Sequence, residues 1–136
     1  MKNIKMVLIA IFSLLILVTG CSTTSAKVEQ PKYDYVSEHA LFGIASYYGK
    51  RWHGRTTANG EKLNIYAMTA AHKTLPFNTI VKVTLVSTGK SIKVRINDRG
   101  PYVDDRIIDL TDKAAKRLGM YNQGIGEVQL EILKNP

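Results

Sequence analysis

The sequence predicts a mainly β domain, and three observations predict it. Residues 79–86 and 91–97 alternate apolar and polar side chains on either side of a turn. Four shorter strand-like runs accompany them, at 43–48, 66–71, 106–110 and 127–133. One segment alone, 112–118, carries helix-capping chemistry at both ends. Six short strands with open edges invite aggregation, so closure into a small barrel is the expected architecture.

Each element has its own reason. The run 43–48 is short and rich in Ile and Tyr. Residues 51–64 hold turn formers with no period and read as a long loop. The run 66–71 carries small residues that permit close packing. In 79–86, Ile80, Val83 and Leu85 are apolar, and 87–90 (STGK) forms a turn. In 91–97, Ile92, Val94 and Ile96 share one face while Lys93 and Arg95 share the other, which makes a hairpin with the preceding strand. The DRGP sequence at 98–101 ends that strand. After 106–110, Thr111 serves as N-cap for 112–118 and Gly119 closes the helix. Val128, Leu130 and Ile132 share a face of the last strand.

The chain has 136 residues, enough for one domain. A hydrophobic share of 45% with 22% charged residues excludes a disordered polymer. A single cysteine excludes an intramolecular disulfide framework and a cysteine-rich zinc site. The formal charge of +8 points to an anionic partner or surface.

The N-terminus is a separate piece. Two lysines precede the uncharged run 6–18, followed by Thr19, Gly20 and Cys21. This is the shape of a secretory signal over residues 1–20. Thirteen residues of helix rise about 20 Å, short of a hydrocarbon core of about 30 Å. An uncleaved anchor is the alternative. The sequence LVTGC at 17–21 resembles a lipoprotein box, with Val18 standing where Leu is usual. Cys21 is thus the expected lipidation site, and several acyl chains hold a membrane where one holds marginally. Ser22, a non-aspartate, fits sorting to an outer membrane facing the periplasm. Residues 21–40 read as a lipidated tether, with a root-mean-square span of about 25 Å and a stretched reach of about 65 Å. Tyr33 and Tyr35 fit an added edge strand equally well. Without the signal the balance is 17 basic to 11 acidic residues, so the positive charge belongs to the exported part. The domain itself spans 41–133, with a tail at 134–136.

Three residues stand where strands meet loops and carry acid–base chemistry: Glu61, His72 and Asp98. From spacing alone, Asp98 serves equally as an Asx-turn cap bonding the N–H of Gly100. Glu61 and His72 serve equally as surface residues. No pair of ligands has zinc-like spacing, so neither a metal nor a cofactor is expected.

Five segments together resemble the rare lipoprotein A family: GIASYYG at 43–49, HGRTTANGE at 53–61, MTAAHKTLPF at 68–77, VRINDRGP at 94–101, and IDLT at 108–111 leading into Ala114, Ala115, Leu118 and Gly119. The match is ordered and spans nearly all of 41–133. The resemblance implies a six-stranded double-psi β-barrel with one or two short helices. It implies a lytic transglycosylase, a lyase acting on peptidoglycan strands stripped of stem peptides, with Asp98, Glu61 and His72 as the catalytic residues. Asp98 would protonate the oxygen between N-acetylmuramic acid and N-acetylglucosamine, then accept the proton of the muramic C6 hydroxyl as a 1,6-anhydro ring closes. Arg99 must then point away from the Asp98 carboxyl.

Tyr48, Trp52, Arg55, Asn59, Lys73 and Arg99 are the substrate-binding candidates. Tyr47 and Tyr48 are adjacent in a strand, so at most one of them is expected to line the cleft. The aromatic residues fit core packing as well, and the cations fit a solvated surface. Some members of the family carry a further C-terminal glycan-binding domain, and this sequence reads as a short form without it. The expected partners are peptidoglycan strands and, through Cys21, a membrane; the protein is expected to be a monomer. Export excludes nucleic acid. A non-catalytic wall-loosening module and a hydrolase of the same bond are the competing readings.

Overall fold

The structure, a computed structural model, describes residues 40–136. The signal, Cys21, Tyr33, Tyr35 and all but the end of the expected tether lie outside the described residues. Six strands follow in order: β1 (Leu41–Tyr47), β2 (Thr69–His72), β3 (Ile80–Leu85), β4 (Ser91–Asp98), β5 (Arg106–Leu110) and β6 (Gly126–Lys134). A short 3-10 helix (Lys50–Trp52) follows β1, and α1 (Asp112–Leu118) follows β5.

The strands close into a barrel in the order β1-β5-β2-β4-β3-β6. The β1–β5 and β2–β4 ladders are parallel, and the other four are antiparallel. Both parallel ladders shift register midway, at Ile44/Ala45 and at Ala70/Ala71. The expected hairpin is β3–β4, with Val83 opposite Ile92 and Val81 opposite Val94. Closure by β6 pairing with both β1 and β3 removes the sheet edges.

Alternation explains the core. Val81, Val83 and Leu85 of β3, Val94 and Ile96 of β4, and Val128 and Leu130 of β6 are all buried. Ala45, Ala70, Ile108 and Leu110 fill the parallel side, and α1 adds Ala114, Ala115 and Leu118. The helix bounds match the expectation. The Thr111 side chain accepts from the Ala114 N–H, and Gly119 takes the left-handed conformation at φ 90°.

β1 runs over Leu41–Tyr47 against the expected 43–48, and two further stretches differ from the sequence reading. β2 begins at Thr69 rather than residue 66, because Tyr66, Ala67 and Met68 are in a turn secured by the Ala67 N–H bond to Asn64 O. The long loop also has internal order. Leu63 and Arg55 are joined by a 2.7 Å backbone bond, Gly54 and Leu63 by one of 2.8 Å, and Thr56 bridges Lys62. No residue pattern marked that lobe, because its contacts are backbone bonds between irregular segments. Among the described residues, no helix is long and apolar enough to cross a membrane.

Candidate active site

Asp98 is the last residue of β4 and lies in an open cleft of about 540 Å³. Its Oδ1 accepts two backbone N–H groups, from Ala58 and from Arg99, each at 2.8 Å. Its Oδ2 accepts the Tyr48 hydroxyl at 2.9 Å. The carboxyl is therefore fixed by three donors from three segments. The bond to Gly100 of an Asx-turn is not the one formed; the Arg99 N–H takes that place. Burial, then the charge and hydrogen bond of Asp98, push the Tyr48 hydroxyl far above the ordinary tyrosine range. Tyr48 thus stays a protonated donor at any physiological pH.

Two lobes stand behind this carboxyl. In the first, Glu61 receives both terminal nitrogens of Arg95, at 2.6 and 3.0 Å. Asn97 and Asn59 donate to it at 3.0 and 2.9 Å. Arg95 and Asn97 are alternate residues on the outward side of β4, so strand geometry aims both at the same carboxylate. The Arg95 bonds chiefly, then those of Asn97 and Asn59, hold Glu61 at about 2, well below the usual carboxylate range. Glu61 also closes the turn that presents Ala58: its carbonyl accepts the Thr57 N–H at 2.8 Å, and its N–H donates to Asn59 Oδ1 at 3.1 Å.

In the second lobe, buried His72 ends β2. Its Nδ1 accepts the N–H groups of Thr74 at 3.2 Å and Leu75 at 3.1 Å. Nδ1 is therefore unprotonated, and the ring proton belongs on Nε2. Burial, with the nearby Arg99 and Lys73 charges, lowers the His72 pKa. Arg99 turns away from the Asp98 carboxyl, as expected. Its Nη1 donates to Leu75 O at 2.9 Å, and its guanidinium covers the Phe77 ring at 3.9 Å.

Of the sequence candidates, Asp98, Tyr48, Trp52, Arg55 and Arg99 line the cleft. Glu61, Asn59, His72 and Lys73 are not among its lining residues; the first three work in the lobes behind Asp98, and Lys73 is exposed. Trp52 has Arg55 over its ring at 4.7 Å and Arg51 at 5.6 Å. Tyr47 and Tyr48 both contribute to the lining, contrary to the expectation of one. The reason is that β1 ends at Tyr47, so strand alternation does not extend to Tyr48. Tyr47 stacks on Tyr121 at 4.7 Å, while Tyr48 reaches Asp98.

Four participants were missed from sequence. Tyr102, 81% exposed, lines the cleft just beyond Gly100 and Pro101. An aromatic residue in a turn next to the DRGP run was the available sign. Arg106 and Asp109 also line the cleft, joined by two 2.9 Å bonds, and Asp109 is fixed further by the Ser46 hydroxyl. These pairings span 3 and 63 residues, and only the parallel β1–β5 register, Ser46 opposite Asp109, brings the distant one together.

The structure defines a closed six-stranded β-barrel with two held carboxylates, Asp98 and Asp109, in a cleft of aromatic and cationic side chains. Residues 41–130 match the family described as lytic transglycolase, and the chain belongs to it. It is 48% identical over 109 residues to the endolytic peptidoglycan transglycosylase RlpA of Pseudomonas aeruginosa, covering 80% of this chain and 32% of that protein. It is 49% identical over 111 residues to the RlpA of Campylobacter jejuni, covering 82% and 40%. With the RlpA of Helicobacter pylori it shares 55% over 91 residues, covering 67% and 29%. The chain thus spans well under half the length of these curated relatives. Among solved structures, the fold is shared with an expansin of Clavibacter michiganensis, with a TM-score of 0.56 at 21% identity over 71% of this chain and 52% of the other. It is shared too with the Streptomyces papain inhibitor, with a TM-score of 0.57 at 20% identity over 71% and 96%. The barrel is of the double-psi type.

Proposed function

We propose that this chain cleaves peptidoglycan glycan strands as a lytic transglycosylase, with Asp98 as the single acid–base group. The observation that carries the reading is the state of the two carboxylates lining the cleft. Asp109 is engaged by Arg106 and Ser46, whereas Asp98 makes no salt bridge among the described residues. A hydrolase of the usual kind needs two working carboxyl groups. A transglycosylase needs one, because the nucleophile is the substrate's own C6 hydroxyl.

The steps balance without water. Two N–H groups occupy Oδ1, so the exchanging proton sits on Oδ2, which has a lone pair beyond the one Tyr48 uses. Protonated Asp98 gives that proton to the glycosidic oxygen between N-acetylmuramic acid and N-acetylglucosamine. The C–O bond breaks as the anomeric carbon gains oxocarbenium character. The C6 hydroxyl attacks that carbon, its proton returns to Oδ2, and the 1,6-anhydro ring closes. Tyr48 keeps Oδ2 in place through both transfers. Glu61 and His72 act through the backbone as positioning residues, the first behind Ala58 and the second behind the 73–77 turn that anchors Arg99. Trp52, Arg55 and exposed Tyr102 supply rings and charge to the sugar chain.

We further propose, from the lipoprotein box alone, that Cys21 anchors the barrel to the outer membrane facing the wall. The test of the catalytic reading is Asp98→Asn on denuded glycan strands, with products weighed by mass spectrometry. The wild-type protein should release ends lighter than reducing ends by one water, and the variant should lose about 10²–10⁴-fold in rate. Unchanged release by the variant, or reducing ends from the wild type, overturns the assignment.

A further inference from the structure

We propose that the cleft continues into a second subsite that binds carboxylate groups of the polymer, with Lys50, Arg51 and Arg106 as its cations. This rests on the reading that a glycan strand lies across Asp98. A shallow groove of about 610 Å³ adjoins the cleft and shares Tyr47, Tyr48, Arg51 and Arg106 with it. One strand can therefore run from exposed Tyr102 past Asp98 and on toward Ile125 without leaving the lined surface.

The second groove differs from the first in charge. Asp98 and Asp109 line the cleft, but no carboxylate lines the groove. Lys50 and Arg51 form no salt bridge among the described residues. Their backbone is anchored, because the preceding Gly49, at φ 77°, donates its N–H to buried Asp112 Oδ1 at 3.1 Å. Arg106 is oriented by Asp109, which takes only its Nη2; its Nε is buried and has no partner. The groove thus presents two exposed cations free of salt bridges among the described residues, with Arg106 paired to Asp109 beside them and two tyrosines, a surface suited to a saccharide bearing a carboxylate rather than to a neutral one. In a glycan strand stripped of peptides, that group is the lactyl carboxylate of each muramic residue. A stem peptide would amidate it and remove the charge at the point of contact.

The experiment uses the full chain carrying Asp98→Asn, so that binding is read without cleavage. Its affinity is measured for denuded glycan strands and for the same strands after carbodiimide amidation with methylamine. Amidation should weaken binding roughly tenfold, a size fitting two or three partly screened charge contacts. Adding Lys50→Gln and Arg51→Gln should remove the preference, so that both strands bind as the amidated one did, with a weaker dependence on salt. Lys50→Arg with Arg51→Lys should keep it. Equal binding of both strands by the parent, or a preference that survives the double Gln change, overturns the subsite. So does an effect of that change on vesicles of anionic phospholipid with none on glycan, which would mark a membrane-facing patch. If the chain with Asp98 intact yields no anhydro ends while the carboxylate preference persists, the catalytic reading fails and the subsite stands.

Discussion

Replacing Glu61 by Gln keeps the side chain's shape and removes its charge, which tests the first lobe directly. Held at about 2 instead of the ordinary 4.5, the carboxylate contributes at most ~3 kcal/mol to the folded state at neutral pH. Its side chain is 38% exposed and that of Arg95 33%, so solvent screening reduces this to about 1–2 kcal/mol. For a domain of this size the melting temperature should fall by roughly 5–15 °C at pH 7. The sign with pH follows from the depressed pKa. The contribution is complete above 4.5 and is lost as pH falls toward 2, so the wild-type and Glu61→Gln melting curves should converge over that window. Circular dichroism melts from pH 7 to pH 2 measure this. Glycan cleavage should fall as well, because the turn presenting the Ala58 N–H to Asp98 loses the Arg95 ion pair that anchors it. Equal melting temperatures at pH 7, or a gap that persists unchanged at pH 2, would show that Glu61 does not anchor the lobe.

Further outcomes follow from the same geometry. Tyr48→Phe removes the donor to Asp98 Oδ2; cleavage should drop by an order of magnitude or more, with a stability change of only ~1 kcal/mol, checked by single-turnover kinetics beside thermal melts. His72, with its lowered pKa, should cost stability as pH falls below 6.5, where the unfolded chain takes up the proton first; His72→Gln should flatten that part of the pH–stability curve in denaturant titrations. A Cβ at Gly43 would lie 2.5 Å from Ile107 Cγ2, so Gly43→Ala should destabilise by about 1–3 kcal/mol, and combined with Ile107→Ala, which removes both γ carbons, it should cost less than the sum of the two single changes in thermal melts.

What the sequence revealed was local. β5 and α1 fall at their expected residues because alternation, Thr111 and Gly119 act over a few positions. Asp98 is legible as a strand-end acid, and the turning away of Arg99 follows from the chemistry such an acid needs. Partnerships were not legible. Nothing in the run 57–61 announces that Glu61 meets Arg95, 34 positions later, because that meeting depends on the loop folding back over β4. The Ser46–Asp109–Arg106 cluster depends in the same way on a parallel ladder between the first and fifth strands. Tyr48 is a substrate-binding candidate by sequence, but its hydroxyl is committed to Asp98, a use that no spacing rule encodes.

The order of strands around the barrel also dictates when it can form. Only β3 and β4 are neighbours both in sequence and in the sheet; β1 waits for β5 and β6, and β2 for β4 and β5. A chain emerging N-terminus first leaves β1 unpaired until β5 is free, and the ring closes only when β6 reaches Leu41–Tyr47. Ladders between such distant segments make for slow, all-or-none folding. The barrel, and with it the grip on Asp98, would arrive in one late step rather than by degrees.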